Sequence, residues 1–279
     1  MLLTPVYDGP PTIAVDGAPD DVLVPFLRQR TRQVELLASF TDEQWAAATR
    51  CDGWTVQDVA HHLAIVNGFW AHSIQQGLAG EPTRYLTTFD PAATPAEMAV
   101  GLRGKAPGES LEMLTSSTDA FLDVVRGIEG DAWSLPAEAP PGHLPIRLVV
   151  HHALWDGWVH ERDICLPLGI EPAVEGDEVE GSLRYAIALG PALALSRTAG
   201  RSGAFVVAAT GGPTYTVEVA DTVRVGSGPT PEGAPRIEGD GVGLAEAFSI
   251  RGDVVVADLV PAEHRWMLDG LAATFDSPV

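Results

Sequence analysis

Residues 151–163 read HHALWDGWVHERD, and within that run His152, Asp156 and His160 follow one another at intervals of four. On a helix this spacing sets all three on one face. Imidazole nitrogens and a carboxylate oxygen are ligands for divalent metals, zinc above all. Four residues rise about 6 Å, so neighbours in the row can share an ion, whereas His152 and His160, about 12 Å apart, do not meet on a straight helix. The row therefore supplies two ligands, and a third must come from another element. His61 and His62 offer it from a second predicted helix, pointing about 100° apart so that one of them faces a bundle interior. His62 shares its face with Val59, Leu63 and Val66, which favours it slightly; His61 falls nearer Asp58 and Ile65. Two imidazoles and a carboxylate leave one tetrahedral position open, the pattern of catalytic zinc sites, suited to a Lewis acid or a thiolate binder. The competing reading is a chance cluster of hydrogen-bonded core histidines, since the chain has eight.

The elements that must hold these side chains are read from apolar period and punctuation. Helices are expected over 22–38, 56–76, 94–126 with a break at Pro107-Gly108, and 146–166, the last closed by Pro167 and Gly169. Thr55 with Asp58, and Thr94-Pro95 with Glu97, resemble helix starts. Residues 136–145 read as a proline-rich connector and residues 1–19 as a Pro- and Gly-containing leader. A helix is expected over 179–197, broken or kinked at Pro191. The period then turns strand-like over 204–209, 214–219, 222–225 and 253–257, with helices at 243–250 and 262–275. Helices first and a mixed sheet second imply an α+β chain of two domains, 1–175 and 176–279.

Composition narrows the partners. With 38 Asp and Glu against 17 Lys and Arg, the formal charge of −21 repels nucleic acid and anionic membranes, and most of it serves solubility. Cys51 and Cys165 lie far apart with no C-x-x-C pair, which fits a reducing cytoplasm. The beginning of the chain lacks a secretory pattern, and no apolar run is long enough to span a bilayer. No dinucleotide or phosphate-binding glycine loop occurs.

The run from Cys51 through Gly53-Trp54-Thr55 to His61-His62-Leu63 resembles the signature of the mycothiol-dependent maleylpyruvate isomerase family, which is similar to the DinB-like metal-binding bundles. Matching Gly-Trp-Thr places the family's metal-ligating histidine on His62. Asp156 through His160 to Asp163 resembles the second motif, with Asp156 standing where the family usually has Glu. The resemblance implies a metal site of His62, Asp156 and His160, with His152 as a substitute if the helix is shifted. It implies an N-terminal DinB-like four-helix bundle followed by a small sterol-carrier-like α/β domain. It also implies a divalent metal, zinc first, and mycothiol as thiol cosubstrate.

A metal-held thiolate adding to an activated double bond serves either S-transfer or cis-trans isomerisation of a small electrophile. The alternative is a non-catalytic metal-binding or regulatory protein that retains the bundle, as a monomer or homodimer. Arg251 resembles a late basic position of the family and is the expected catalytic and cofactor-binding arginine, against a reading as a surface arginine at a helix end. Trp155 is expected to contact the cofactor, with Trp158 also flanking the motif, and Trp54 to pack at a helix start. Cys51, next to a helix start and far from any His-Asp relay, is expected to be a small packing residue without a catalytic role; Asp163 is expected to hydrogen-bond, either orienting a ligand imidazole or stabilising the bundle through Arg162 or Arg147.

Overall fold

The structure is a computed structural model that describes residues 2–275. Its helical part runs α1 (Asp20–Ala38), α2 (Asp42–Trp45), α3 (Val56–Leu78), α4 (Ala93–Leu102), α5 (Pro107–Arg126) and α6 (Ile146–Cys165). The start of α3 follows its sequence signal: Asp58 N donates to Thr55 Oγ1, and Thr55 N donates back to Asp58 Oδ2. At α4 the expected Thr94 cap is corrected. Asp90 Oδ1 accepts from both Ala92 N and Ala93 N, so the helix begins at Ala93, and Thr94 Oγ1 turns back to accept from Asp90 N. The expected break lies at 103–106, with Pro107 opening α5 where its missing N–H is harmless.

The long helices α1, α3, α5 and α6 form the bundle, α1 touching α5 and α6, and α3 touching the same two from the other side. Each presents an apolar stripe inward; Phe26 on α1 meets Phe121 on α5 edge to face at 4.9 Å, worth about 1 kcal/mol beyond its burial. The approach of α1 to α6 depends on Gly157, because a Cβ there would lie 1.9 Å from Arg30 Nη1. Through that gap Arg30 donates to Ala153 O and Gln33 to Gly157 O, pinning the helix that carries the histidine row.

The connector before α6 is a hairpin instead of a loop: β2 (Pro136–Ala139) pairs antiparallel with β3 (Gly142–Pro145). Buried Glu138 organises it, accepting from Tyr7 Oη, Thr83 Oγ1 and Leu86 N. The leader also has structure. β1 (Ile13–Val15) joins a five-stranded sheet with β4 (Gly203–Ala209), β5 (Thr214–Val219), β6 (Val223–Gly226) and β7 (Arg236–Gly239), in the order β1-β6-β5-β4-β7. The outer pairs, β1–β6 and β4–β7, are parallel and the inner two antiparallel.

Helix α7 (Gly176–Ala194) lies between bundle and sheet and packs on α1, α6, β1 and β6. Pro191 neither ends nor interrupts it, since in the final turn only one intrahelical bond is forgone. The buried core is continuous from Phe26 and Phe121 in the bundle to Phe205, Val217 and Val225 in the sheet. Helices α8 (Gly241–Phe248) and α9 (Gly270–Phe275) close the far side of α7. The strand expected at 253–257 is corrected: Val254 and Val255 are both exposed, so the run has no buried alternate face, and Val256–Leu259 makes a 3-10 turn. The helix expected at 262–275 divides into a 3-10 stretch, Ala262–Met267, and α9. Among the described residues, no helix is long and apolar enough to cross a membrane.

Candidate metal centre

α3 and α6 bring together the three side chains singled out by spacing and motif. His62 Nε2 and His160 Nε2 each lie 3.5 Å from Asp156 Oδ1, and one ligand atom from each of the three residues falls within 4.8 Å of the others. These separations are long for hydrogen bonds. They suit ligands about 2.1 Å from a shared ion at the tetrahedral angle, which stand about 3.4 Å apart. His62 Nε2 and Asp156 Oδ2 are buried and have no hydrogen-bond partner, a costly condition unless a cation satisfies them. The donor set therefore fits a divalent metal, and Asp156, one methylene shorter than Glu, reaches both imidazoles. The His62 and His160 rings meet edge to face at 4.8 Å, with Trp54 on the other side of His62 at 5.6 Å.

The alternative histidines are engaged elsewhere. His61 Nε2 lies 2.8 Å from Ser110 Oγ on α5. His152 Nδ1 lies 3.1 Å from Tyr185 Oη on α7, and burial pushes its pKa down to about 4, so it stays neutral. His151 is buried beside α7, and its pKa is pushed down by burial to about 3.

Behind His160 stands a second carboxylate in the opposite condition. Asp163 is fully buried and accepts from Arg50 Nε, Arg251 Nε and Arg251 Nη2, each at 3.0 Å. His160 Nδ1 lies 3.1 Å from Asp163 Oδ2. Donation of Nδ1–H to that carboxylate aims the Nε2 lone pair at the centre. Without a metal, burial pulls the His160 pKa down, but the charge of Asp156 and the bond to Asp163 outweigh it and raise it to about 10. Burial alone would raise Asp156 and Asp163, yet their cationic neighbours hold both well below the usual carboxylate range. Cys51, His160 and Asp163 also group within ligand distance. There, however, the carboxylate is already neutralised by two guanidinium groups.

The rival reading of Arg251 as a surface arginine is set aside, and one expectation for Cys51 changes. Arg251 turns inward from the end of α8, where Ile250 takes a left-handed φ of 53° and Arg251 N donates to Glu246 O. For a β-branched residue that conformation is strained, and it aims the guanidinium at Asp163. Cys51 is not remote from histidine and aspartate: its Sγ lies 3.2 Å from Asp163 Oδ2 and 3.7 Å from His160 Nδ1. Sequence reasoning passed over Arg50 and Arg30 altogether, because their partners are distant in the chain and no spacing signals them.

A cavity of about 790 Å³ opens onto the centre. Trp155 lines it and donates Nε1–H to Ser249 Oγ at 2.7 Å. Trp158 does not reach it; that ring is buried on another face of α6, with Arg162 stacked 4.4 Å from its centroid.

A helical bundle that aims two imidazoles and a carboxylate into a deep cavity, joined through α7 to a mixed sheet, defines the class: an α+β protein with an open, metal-type centre. Residues 26–165 match the Mycothiol maleylpyruvate isomerase N-terminal domain, and the chain belongs to that family. Crystal structures of the mycothiol-dependent maleylpyruvate isomerase and of a histidine-to-alanine mutant of it each match with a TM-score of 0.60. Each is 16% identical, over 85% of this chain and 91% of that chain. This likeness establishes the shared fold. YfiT from Bacillus subtilis, described as a probable metal-dependent hydrolase with an unusual four-helix bundle topology, matches more loosely. Its TM-score is 0.40 at 18% identity, over 59% of this chain and 95% of that chain. No curated protein matches the sequence.

Proposed function

We propose that His62, Asp156 and His160 hold a divalent cation, zinc first, and that the protein uses the thiol mycothiol on a small electrophile. The observation that carries this reading is the convergence of His62 Nε2 and His160 Nε2 at 3.5 Å on Asp156 Oδ1, with His62 Nε2 and Asp156 Oδ2 buried and unpartnered among the described residues. When bound there, such a cation supplies the Lewis acidity that keeps a coordinated thiol as its thiolate.

The chain's own residues set the conditions for that chemistry. Asp163 fixes the His160 ring, and Arg50 and Arg251 hold Asp163 ionised. Arg251 keeps Nη1 without a hydrogen bond, available to a carbonyl or carboxylate of a bound reactant, which supports it as the catalytic and cofactor-binding arginine. Trp155 stiffens the wall where the cofactor is placed. A thiolate sulfur forms a C–S bond at the β-carbon of an activated alkene while the π pair moves onto the activating carbonyl. Protonation of the α-carbon from water gives an S-adduct; rotation and elimination of the thiol give the other geometric isomer. Both outcomes need the same sulfur, and membership of the mycothiol maleylpyruvate isomerase family favours isomerisation.

The test is metal analysis of untagged protein together with turnover of mycothiol and an activated alkene. About one metal per chain, lost in His160→Ala along with turnover, is expected. Full metal content in that variant overturns the ligand set. Metal without any thiol-dependent turnover would leave the non-catalytic reading in its place.

A further inference from the structure

The cavity beside the centre has two unlike ends. Toward the start of α3 it is lined by Arg50, Cys51, Asp52 and Arg251. Past His62 it continues along α3 for about 10 Å, the span of the seven residues to Phe69, and there its character changes. Ile65, Phe69 and Trp70 on α3 face Leu189 and Leu193 on α7 and Leu271 on α9. Among the described residues, no arginine, lysine or carboxylate lines this lobe; the cavity's charged side chains are Arg50, Asp52, Asp156 and Arg251, at or before the centre.

The lobe's residues offer a bound anion no charge: Trp70 Nε1–H, buried without a partner among the described residues, is a neutral donor, and three other polar groups are already engaged. Ser249 Oγ accepts from Trp155 and donates to Ala245 O, and Thr274 Oγ1 donates to Gly270 O. His152 is bonded to Tyr185 and is kept neutral by its burial. A carboxylate placed in this lobe would lose its hydration and find no cation, which is the most unfavourable way to bury a charge. The volume, about 790 Å³, is that of sites which hold drug-sized ligands, and it is shared by the thiol and the electrophile.

We propose that the lobe lined by Ile65, Phe69, Trp70, Leu189, Leu193 and Leu271 binds an apolar portion of the electrophile, so that a small dicarboxylate, which has no such portion, is a poor substrate of this protein. The inference rests on the thiol reading above for which reactant sits there. The hydrophilic thiol takes the Arg50 and Arg251 end, and the apolar reactant approaches the centre from the opposite side. At the centre, Arg251 and the unpartnered Arg50 Nη2 can meet anionic or carbonyl groups, whereas a charged group carried into the lobe has no cation to meet.

The test holds the alkene constant and varies charge and apolar area: dibutyl maleate, monobutyl maleate and maleate, each offered to the metal-loaded protein with mycothiol. Adduct and fumarate isomer are both measured. The expected order of kcat/KM is dibutyl, monobutyl, maleate, spanning more than 100-fold, and maleate turned over as well as its diester overturns the proposal. Ile65→Arg, at a half-buried position facing the lobe, is expected to narrow that span at least tenfold by supplying the missing cation. An unchanged span in a variant with native circular dichroism counts against the proposal.

Binding is read separately without thiol, from tryptophan fluorescence on titration with dibutyl fumarate and with fumarate. Saturable binding of the diester alone, with no turnover of any acceptor, means that the thiol reading fails and the apolar site stands. No binding of the diester, or equal binding of the dianion, overturns the site itself.

Discussion

On the face of α6 that meets α1 and α7, Glu161 accepts two hydrogen bonds from Arg32, which also grips Glu178, and Arg28 completes the group. On the face that meets α3, Asp156 keeps one oxygen with no partner and stands 3.5 Å from two imidazoles. Both are buried carboxylates on one helix. The first cluster is closed: every oxygen has an N–H, so it fastens three helices and has nothing left to bind. The second is open, and the burial that makes a lone carboxylate expensive is what makes a cation welcome there. The contrast shows that burial and charge alone do not mark a site; unpartnered ligand atoms that converge from two helices do.

The sharpest way to break this contrast is to remove a group from the open cluster. His160→Ala should reduce metal affinity by more than about 100-fold, beyond the range of a supporting residue, while leaving the fold intact; inductively coupled plasma analysis after dialysis reads it. The reciprocal experiment is Glu178→Ala in the closed cluster. Leaving Arg32 with Glu161 as its one carboxylate should cost about 1–2 kcal/mol in urea unfolding with metal content unchanged, and a metal loss there would erase the distinction between the two faces.

Asp163→Asn tests the support behind the centre. It should weaken metal binding by about 10- to 100-fold, measured by competition with a chelating dye, because His160 loses the acceptor that fixes its ring. Proton competition is smaller per pH unit. In the metal-free protein the His160 pKa is raised from 6.5 to about 10. Its protonated form thus contributes stability that is complete below pH 6.5 and lost as pH rises through about 10. A cation must displace that proton, so affinity should climb about tenfold per pH unit across the same window; a flat profile would contradict the assignment of His160. The smallest effect is expected from Cys51→Ser, since a hydroxyl can also donate to Asp163. Metal content should change less than about twofold.

How much of this was written in the sequence follows from the range of each interaction. Local signals carried well: Thr55 with Asp58 started α3, and the four-residue step from Asp156 to His160 set both on one face. Helical phase and the Gly-Trp-Thr motif together picked His62, and the structure turns that side chain, not His61, toward Asp156. What failed depended on distant partners. For Asp163 the orientation of an imidazole is legible, but its arginines are not Arg162 or Arg147; they lie 113 and 88 residues away. Cys51 looked remote from histidine and aspartate for the same reason. The hairpin at 136–145 was hidden by prolines, since its order comes from Glu138 reaching Tyr7 and Leu86, not from its own strand propensity. The strand expected at 253–257 had composition but no buried face.

The parallel pairing of β1 with β6 has a consequence for the order of assembly. Ile13 lies opposite Val223, about 210 residues later, so a chain folding as it is synthesised completes every bundle helix before this strand finds its partner. Closing so long a loop is slow, and until it closes the backbone edge of β6 is exposed as a template for other chains. The segment before α1 thus acts as a built-in cover for that edge. Its loss would show first as aggregation at the sheet, and only afterwards as any change at the centre between α3 and α6.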